Sequence, residues 1–161
     1  MNDAKVLIQV RRATPHDFVN ILRLGEQIQM LDEDEVWYPR VDPMKAMQMI
    51  MAAKQHGEII VADCSRQIVG AIGLCVREWP WSTERYIGNE FFHVLPKFRK
   101  HGTANALVKA AEKFATESGL RLVVAFSGGK KAEVKDRLMQ MKGYIYCGGI
   151  FTKLPQGGTN G

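Results

Sequence analysis

The spacing of hydrophobic positions changes along the chain between the two-residue period of a strand and the 3.6-residue period of a helix. Two signals, Thr14-Pro15 and Asp42-Pro43, each indicate a helix start, because an N-cap residue precedes a proline at the first helical position. In chain order the pattern predicts a strand at 6–10, helices at 15–30 and from 43 to Gly57, strands at 58–63, 67–76 and 90–95, a helix at 103–117, a strand at 121–126, a helix at 131–142 and a last β segment at 144–154.

This order of elements predicts a single mixed α/β domain. The strand, helix and strand over 90–126 form a crossover that should be right-handed, with its two strands parallel in one sheet. The loop between Leu95 and Thr103 then lies at the carboxyl end of a central strand, where open α/β sheets bind ligands. We expect an ordered core over about residues 5–153 and a flexible tail at 155–161.

Composition narrows the class of protein. The chain has 161 residues, 46% of them hydrophobic and 24% charged, with neither a bilayer-spanning segment nor a secretory signal, so we expect a soluble cytoplasmic protein. Cys64, Cys75 and Cys147 have no metal-ligand spacing and are predicted to be reduced thiols, with no bound metal. A net charge of +5 favours an anionic partner, which the charge alone does not identify.

The stretch VLPKFRKHGTA, from Val94 to Ala104, is the strongest candidate for chemistry. It leads into an amphipathic helix whose first N–H groups have no intrahelical acceptor and carry the positive end of the helix dipole. Gly102 has no Cβ and would let an anion approach the backbone, while Arg99, Lys100 and His101 add cationic side chains. The alternative is a solvated basic turn before a helix.

Flanking residues add a family resemblance. V-x-P-x-x-R-x-x-G-x-A at 94–104 resembles the acetyl-CoA signature of the GNAT acetyltransferase superfamily. Ile68-Val69-Gly70, Lys142-Gly143-Tyr144 and the stretch from Val10 to Asp17 resemble other landmarks of that family in the same order, so the likeness covers about residues 5–153. It implies a mixed, mostly antiparallel central sheet flanked by helices, with a parallel central strand pair splayed at the cofactor site.

The resemblance also implies an activity and a cofactor site. The activity is N-acetyl transfer from acetyl-CoA, as co-substrate, to a primary amine of a small molecule or protein, by direct attack in a ternary complex. The backbone amides of Lys100, His101, Gly102, Thr103 and Ala104, with the Arg99 side chain nearby, would hold the CoA pyrophosphate. The backbone of His93, Val94 and Leu95 would pair with pantetheine, and the Val94 N–H, at a strand bulge, would meet the oxyanion.

Candidates for proton transfer are less sharply defined. Glu90 is the first candidate base, in the region where many GNAT enzymes place a carboxylate, although an exposed strand-start residue is an equal alternative. His93 is the competing base. Many relatives carry a tyrosine that acts as the general acid where this chain has Met139, whose thioether donates no proton. Substitutes would be Ser127, for which a plain turn residue before two glycines is the favoured alternative, or Tyr144, Tyr146, water or an unassisted thiolate.

The acceptor side is the least defined. An acidic run at 32–35 followed by Trp37, and a second aromatic loop with Trp79, Trp81 and Tyr86, are candidate walls of the acceptor site, against the alternative of solvated loops. The rival function is a GNAT-fold module that binds CoA or a protein partner without transfer. A nucleic-acid binder ranks well below both, no membrane partner is expected, and a homodimer is compatible with the sequence.

Overall fold

The computed structural model describes residues 7–31, 40–126 and 132–148. These residues fall into two compact units, one made of residues 7–31 and 40–125 and the other of residue 126 and residues 132–148. The large unit contains every strand found in the described part of the chain: β1 (Gln9–Arg12), β2 (Gly57–Cys64), β3 (Gln67–Glu78), β4 (Arg85–Val94) and β5 (Arg121–Val123).

The five strands form one mixed sheet in the order β1-β2-β3-β4-β5. Neighbours from β1 to β4 pair antiparallel, whereas β4 and β5 pair parallel, with Tyr86 opposite Arg121 and Gly88 opposite Val123. The predicted fold class, a mostly antiparallel sheet with one parallel pair produced by a helical crossover, is therefore confirmed.

Helices cover both faces of this sheet: α1 (Phe18–Leu31), α2 (Pro43–His56) and α3 (Thr103–Ser118). A methyl group on Gly25 of α1 would lie 3.6 Å from the His93 ring, whereas one on Gly70 of β3 would lie 3.1 Å from Leu107 of α3. Because Gly70 and the partner of His93 are consecutive residues of β3, they point to opposite faces, so α1 and α3 lie on opposite faces. No helix of the described residues has the length and apolar character needed to cross a membrane.

The core lies between these layers. Its largest fully buried side chains come from α1, from the three central strands and from α3: Ile21, Ile59, Val61, Val69, Ile72, Leu74, Ile87 and Leu107. Aliphatic side chains of this size each contribute about 1.5–3 kcal/mol when buried, so a domain of this size needs no covalent staple.

Helix starts follow the predicted signals. Asp42 caps α2, and its Oδ1 accepts hydrogen bonds from the N–H groups of Met44 at 2.9 Å and Lys45 at 3.0 Å. The first predicted helix instead begins with a 3₁₀ turn at Pro15–Asp17, and regular α-helix starts at Phe18. The buried Asp17 carboxylate accounts for this tight turn, because it accepts from the Thr14 N–H at 2.8 Å.

Arg11 fixes the same corner of the large unit. Its Nη1 and Nη2 donate to the two carboxylate oxygens of Asp17 at 2.8 and 2.9 Å, and Nη2 also donates to Asp63 of β2 at 3.2 Å. The guanidinium is the largest cause that holds the pKa of Asp17 well below its usual range. One side chain thus links β1, β2 and the start of α1.

The strands predicted at 58–63 and 67–76 form a hairpin, whose turn has two residues instead of the three that the prediction left between the strands. Ser65 and Arg66 both have positive φ values, 52° and 68°, which suits the right-handed twist of the strands on either side. Gly57, predicted as a helix end, is also the first residue of β2. Its φ of −171° is ordinary extended backbone, and glycine is needed there because a Cβ would lie 1.9 Å from the Leu74 carbonyl oxygen.

Strand boundaries differ from the prediction at several strands: β1 covers Gln9–Arg12 instead of 6–10, β2 and β3 are each two residues longer than predicted, and β4 and β5 also differ. β4 begins at Arg85, five residues before the predicted start, because its first residues pair with β3 through the backbone although their side chains do not alternate simply. β5 ends at Val123, three residues before the predicted end, where pairing with β4 stops. The parallel ladder is therefore short.

In the small unit, α4 (Ala132–Met141) confirms the predicted fourth helix. Gly143 has φ +86°, and the Tyr144 N–H donates to the Met139 carbonyl at 3.0 Å, which ends the helix through a left-handed residue. Residues 144–148 of the predicted last β segment are in neither a helix nor a strand, and the remainder of that segment and the predicted tail lie outside the described residues.

Candidate active site

The loop from β4 to α3 has a defined conformation. After Leu95, whose N–H donates to Val69 of β3 at 2.9 Å, a 3₁₀ turn runs over Pro96–His101. Phe98 is buried under this turn, and its carbonyl accepts from the hydroxyl of Thr103 at 2.9 Å. The Thr103 side chain therefore stabilises the loop from inside, so this residue offers a ligand only its backbone N–H.

Gly102 connects the 3₁₀ turn to α3. Its φ of +75° and ψ of 10° lie in the left-handed region that glycine adopts at low cost. Glycine has no side chain that could cap the helix. The first hydrogen bond of α3 is donated by the Ala106 N–H to the Gly102 carbonyl at 3.0 Å. The N–H groups of Thr103, Ala104 and Asn105 therefore have no acceptor within the helix.

The space in front of this helix end is open. A Cβ at Gly102 would meet no heavy atom of the described residues within 4 Å, so a ligand atom has access to the backbone there. An exposed helix N-terminus with free N–H groups is a binding site for a phosphate or another anion. The N–H groups without an acceptor in the helix run from Thr103 to Asn105, whereas the predicted set ran from Lys100 to Ala104, so the two sets share Thr103 and Ala104.

The predicted basic side chains have different surroundings. Arg99 Nε donates to the carbonyl of Val94 at 3.1 Å, so this guanidinium turns back to β4 and ties the loop to the end of the strand. Lys100 and His101 are exposed at the end of the 3₁₀ turn. Lys100 and, when protonated, His101 therefore add positive charge next to the helix terminus, while Arg99 keeps its positive charge at the end of β4.

Beyond Gly88 and Val123, β4 continues without β5 beside it. Because Leu95 donates to Val69, alternate residues His93 and Leu95 direct their backbone polar groups to β3, and Val94 directs its N–H to the side of β5. Of the three strand residues predicted to pair with pantetheine, Val94 alone thus has its backbone N–H on the open side.

A β-bulge lies at Glu90. Gly73 of β3 opposes Phe91, whereas the next residue, Leu74, opposes Asn89, so Glu90 is an extra residue in β4. The expected bulge at Val94 is wrong, since Val94 is in regular register with Gly70. The one register shift between β3 and β4 lies at Glu90, where the extra residue changes which face of the sheet the following side chains of β4 point to.

The bulge places Glu90 on the face of the sheet that α1 and α2 cover. Glu90 Oε1 accepts from Arg77 Nε at 3.1 Å and also from Arg77 Nη2, and Arg77 is on this face of β3 together with Cys75. Cys75 in turn contacts the Ala52 carbonyl of α2 at 3.9 Å. The Glu90 side chain is only 21% exposed, so the alternative of a solvated strand-start residue does not describe it.

Charges in this cluster influence one another. The Glu90 carboxylate is the largest cause that raises the pKa of Arg77, which therefore stays cationic. Burial first, and then the charge of Glu90, raises the pKa of Cys75 to about 11, so its thiol is protonated at neutral pH. The Glu90 side chain thus lies between one cation, Arg77, and one thiol, Cys75.

His93 is on the same face as Glu90. Its ring stacks on Phe91 with centroids 5.8 Å apart and lies against Gly25 of α1. Burial lowers the pKa of His93, so the imidazole is neutral at physiological pH. A neutral imidazole has one nitrogen that can accept a proton, and the arrangement thus brings both predicted bases to one side of β4.

The predicted proton donors and acceptor-site loops are described by the structure only in part. Ser127 and the acidic run at 32–35 with Trp37 lie outside the described residues. Met139 is half-buried near the end of α4. The aromatic loop forms a stack in which Trp79 lies 4.3 Å from Tyr86 and 5.5 Å from Trp81, measured between ring centroids.

Two residues of this site were missed in the sequence. Arg77 reaches Glu90 only because β3 and β4 pair in one register, which no local pattern indicates. Asn89 sits beside the bulge, and its side chain contacts the backbone just after β5. A polar residue immediately before the predicted strand that leads into the crossover was the available signal.

Comparison with known proteins agrees with this arrangement. The site has two parts, the opened parallel pair of β4 and β5 and the exposed N-terminus of α3. Together they suit a ligand with an anionic end and an extended arm. Residues 26–132, more than half of the chain, match the acetyltransferase (GNAT) family. The chain belongs to this family. No curated protein sequence matches it significantly.

Solved structures share the fold at low sequence identity. An aminoglycoside acetyltransferase AAC(6')-Iy in complex with a bisubstrate analogue of CoA and acetylneamine is 17% identical, with a TM-score of 0.67, 93% of this chain and 99% of that chain covered. A soil metagenomic aminoglycoside acetyltransferase with sisomicin is 16% identical, with a TM-score of 0.63 and coverages of 92% and 97%. A transcriptional regulator from Bacillus halodurans C-125 is 19% identical, with a TM-score of 0.67 and coverages of 92% and 100%.

Proposed function

We propose that this chain transfers the acetyl group of acetyl-CoA to a primary amine by direct attack in a ternary complex. The observation that carries the proposal is the continuous path from the bulged Glu90, along the open edge of β4 at Val94, to the free N–H groups behind Gly102. It combines an anion site, an extended edge and a proton acceptor within the 16 positions from Glu90 to Asn105.

The N-terminus of α3 would hold the pyrophosphate of the co-substrate. The N–H groups of Thr103, Ala104 and Asn105 would donate to its oxygens, and Lys100 and His101 would add charge. The open volume at the Gly102 Cβ position agrees with such a group. Acetyl-CoA, when bound, supplies the acyl group as a thioester, whose carbonyl carbon an amine attacks and whose sulfur leaves as the thiol.

Glu90 would remove the proton of the attacking ammonium. An ammonium has no lone pair, so attack requires loss of a proton to a group within reach or through a water molecule. Arg77 holds the Glu90 carboxylate in place, and the neutral His93 on the same face is the alternative acceptor. The Val94 N–H would donate to the oxygen on which negative charge develops.

The acceptor is proposed as an amine of a small molecule or a protein. Structural relatives were solved with an acetylneamine analogue and with sisomicin, so aminoglycosides are the first acceptors to test. Polyamines, amino acids and lysine peptides complete the panel.

One observation favours the rival function, a CoA-binding module without transfer. Met139 occupies the sequence position where many GNAT relatives have a tyrosine as the general acid, and its thioether cannot protonate a departing thiolate. Binding of acetyl-CoA without turnover on any acceptor would favour this rival.

The test of the proposal follows thiol release from acetyl-CoA over the acceptor panel, with the full chain and its Glu90→Gln variant. We expect turnover with at least one amine, a fall of about 100-fold or more in Glu90→Gln, and unchanged acetyl-CoA affinity by calorimetry. Glu117→Gln, an exposed change near the C-terminal end of α3, is the matched control. Full turnover in Glu90→Gln would refute the base assignment, and His93→Gln then tests the alternative.

A further inference from the structure

Asn89 makes an unusual contact at the point where the parallel pair opens. Its Nδ2 donates to the Ala125 carbonyl at 2.9 Å, and its Oδ1 accepts from the Ala125 N–H at 2.7 Å. The paired contacts define the orientation of the carboxamide, because the oxygen must face the N–H and the nitrogen must face the carbonyl. The side chain therefore supplies the donor and the acceptor that a neighbouring strand would supply.

The contact lies just past the last backbone pair of the parallel ladder, Gly88 with Val123, because Asn89 follows Gly88 by one residue and Ala125 follows Val123 by two. Backbones that pair directly are about 4.8 Å apart. With a carboxamide between them, the two backbones cannot approach to that distance, so β4 and the segment through Ala125 separate from this point. Asn89 thus occupies the place of the next backbone pair while satisfying the backbone of Ala125.

The open edge of β4 begins beyond Asn89. Val94 directs its N–H to the side that β5 has left. An extended molecule with amide groups could pair with such an edge as an added strand does. The width available to it is determined near Asn89, since the side chain holds the far wall at Ala125 by two bonds.

We propose that Asn89 is a positioning residue that keeps this gap open at the width that the pantetheine arm of acetyl-CoA requires. This inference rests on the proposed function. Without the carboxamide, the N–H and carbonyl of Ala125 lose both partners, and the segment either pairs directly with β4 or moves away from it. In both cases the arm loses its fit, whereas the anion site at Gly102 is formed by a separate part of the chain.

Two ligands distinguish this role from a general structural one. Acetyl-CoA contacts both the anion site and the gap, whereas 3′-phosphoadenosine diphosphate carries the phosphates without pantetheine. For Asn89→Ala we expect acetyl-CoA affinity to fall about tenfold, the effect of two lost hydrogen bonds, with nucleotide affinity unchanged by calorimetry. Asn89→Asp keeps the acceptor for the Ala125 N–H but opposes its carbonyl with a carboxylate, so it should also bind acetyl-CoA more weakly.

Asn20→Ala, at an exposed position on α1, is the control and should bind both ligands as the wild-type chain does. Equal acetyl-CoA affinity in the wild-type chain and both Asn89 variants would overturn the inference while leaving the proposed function intact. A parallel loss of both ligands would also overturn it, since it would indicate a general disturbance. Failure of the wild-type chain to bind acetyl-CoA would instead overturn the proposed function, and this inference with it.

Discussion

Gly102 and Gly119 stand at the two ends of α3 and provide a matched pair of substitutions. Both are left-handed, with φ values of +75° and +66°, and a Cβ at either would meet no heavy atom of the described residues within 4 Å. Alanine in this conformation costs about 1–2 kcal/mol, partly offset by the lower entropy of the unfolded chain. We therefore expect Gly102→Ala and Gly119→Ala to lower Tm alike, by about 2–4 °C.

Ligand binding should separate the two variants. The Gly119 N–H closes the C-terminus of α3 by donating to the Thr116 carbonyl at 3.1 Å, far along the helix from the anion site. A methyl group at Gly102 instead enters the space in front of the free N–H groups. Loss of one charge-assisted hydrogen bond there is worth about 1.5–3 kcal/mol, which corresponds to a fall of about 10- to 100-fold in affinity.

Isothermal titration of acetyl-CoA into both variants, with thermal unfolding measured in parallel, makes the comparison. The expected result is weaker binding in Gly102→Ala alone, at equal stability. Unchanged affinity in Gly102→Ala would refute the placement of the phosphate site. Equal weakening in Gly119→Ala would show that helix stability, rather than access to the helix N-terminus, controls binding.

Three further changes probe other parts of the structure. Asp17→Asn should cost about 2–3 kcal/mol in urea unfolding at neutral pH, because the bidentate contact with Arg11 is lost. The pKa of Asp17 is depressed in the fold, so its stabilisation is present above about pH 4 and lost as pH falls further; a difference that persists undiminished at about pH 2 would contradict this. With the other cysteines replaced by serine, Cys75 should react faster with a small alkylating reagent at about pH 9 in Glu90→Gln, since the carboxylate helps to raise its pKa to about 11; an unchanged rate would argue against their coupling. Gly57→Ala should destabilise the chain by about 3 kcal/mol in the same urea assay, because the new methyl would collide with a backbone carbonyl of β3; a change below about 0.5 kcal/mol would contradict the close packing.

Local signals in the sequence predicted much of the fold. Capping at Asp42, the strands on either side of Ser65 and Arg66, and the glycine before α3 depend on residues close together in the chain, so their patterns are visible without the structure. The parallel pair followed from the crossover rule. The full extent of β4 could not be predicted, because its first residues owe their strand conformation to pairing with β3.

In the candidate site, too, the features that depend on local sequence could be predicted, and those that depend on strand pairing could not. The loop ending at Gly102 has a local motif and was predicted, although the turn of Arg99 back to Val94 was not. The bulge at Glu90 depends on the register between β3 and β4, and the contact of Asn89 joins positions 36 residues apart. Such features arise from long-range pairing and leave no periodic trace in the sequence.

Acetyl transfer itself is the most direct test of the central claim. The measurement is the mass of each amine of the panel after incubation with acetyl-CoA and the full chain, with released CoA thiol counted in the same reaction. The account predicts that at least one amine gains a single acetyl group and that one thiol appears for each acetyl group transferred. Saturable binding of acetyl-CoA with no mass gain in any amine of the panel would contradict the proposed enzyme and favour the non-catalytic module.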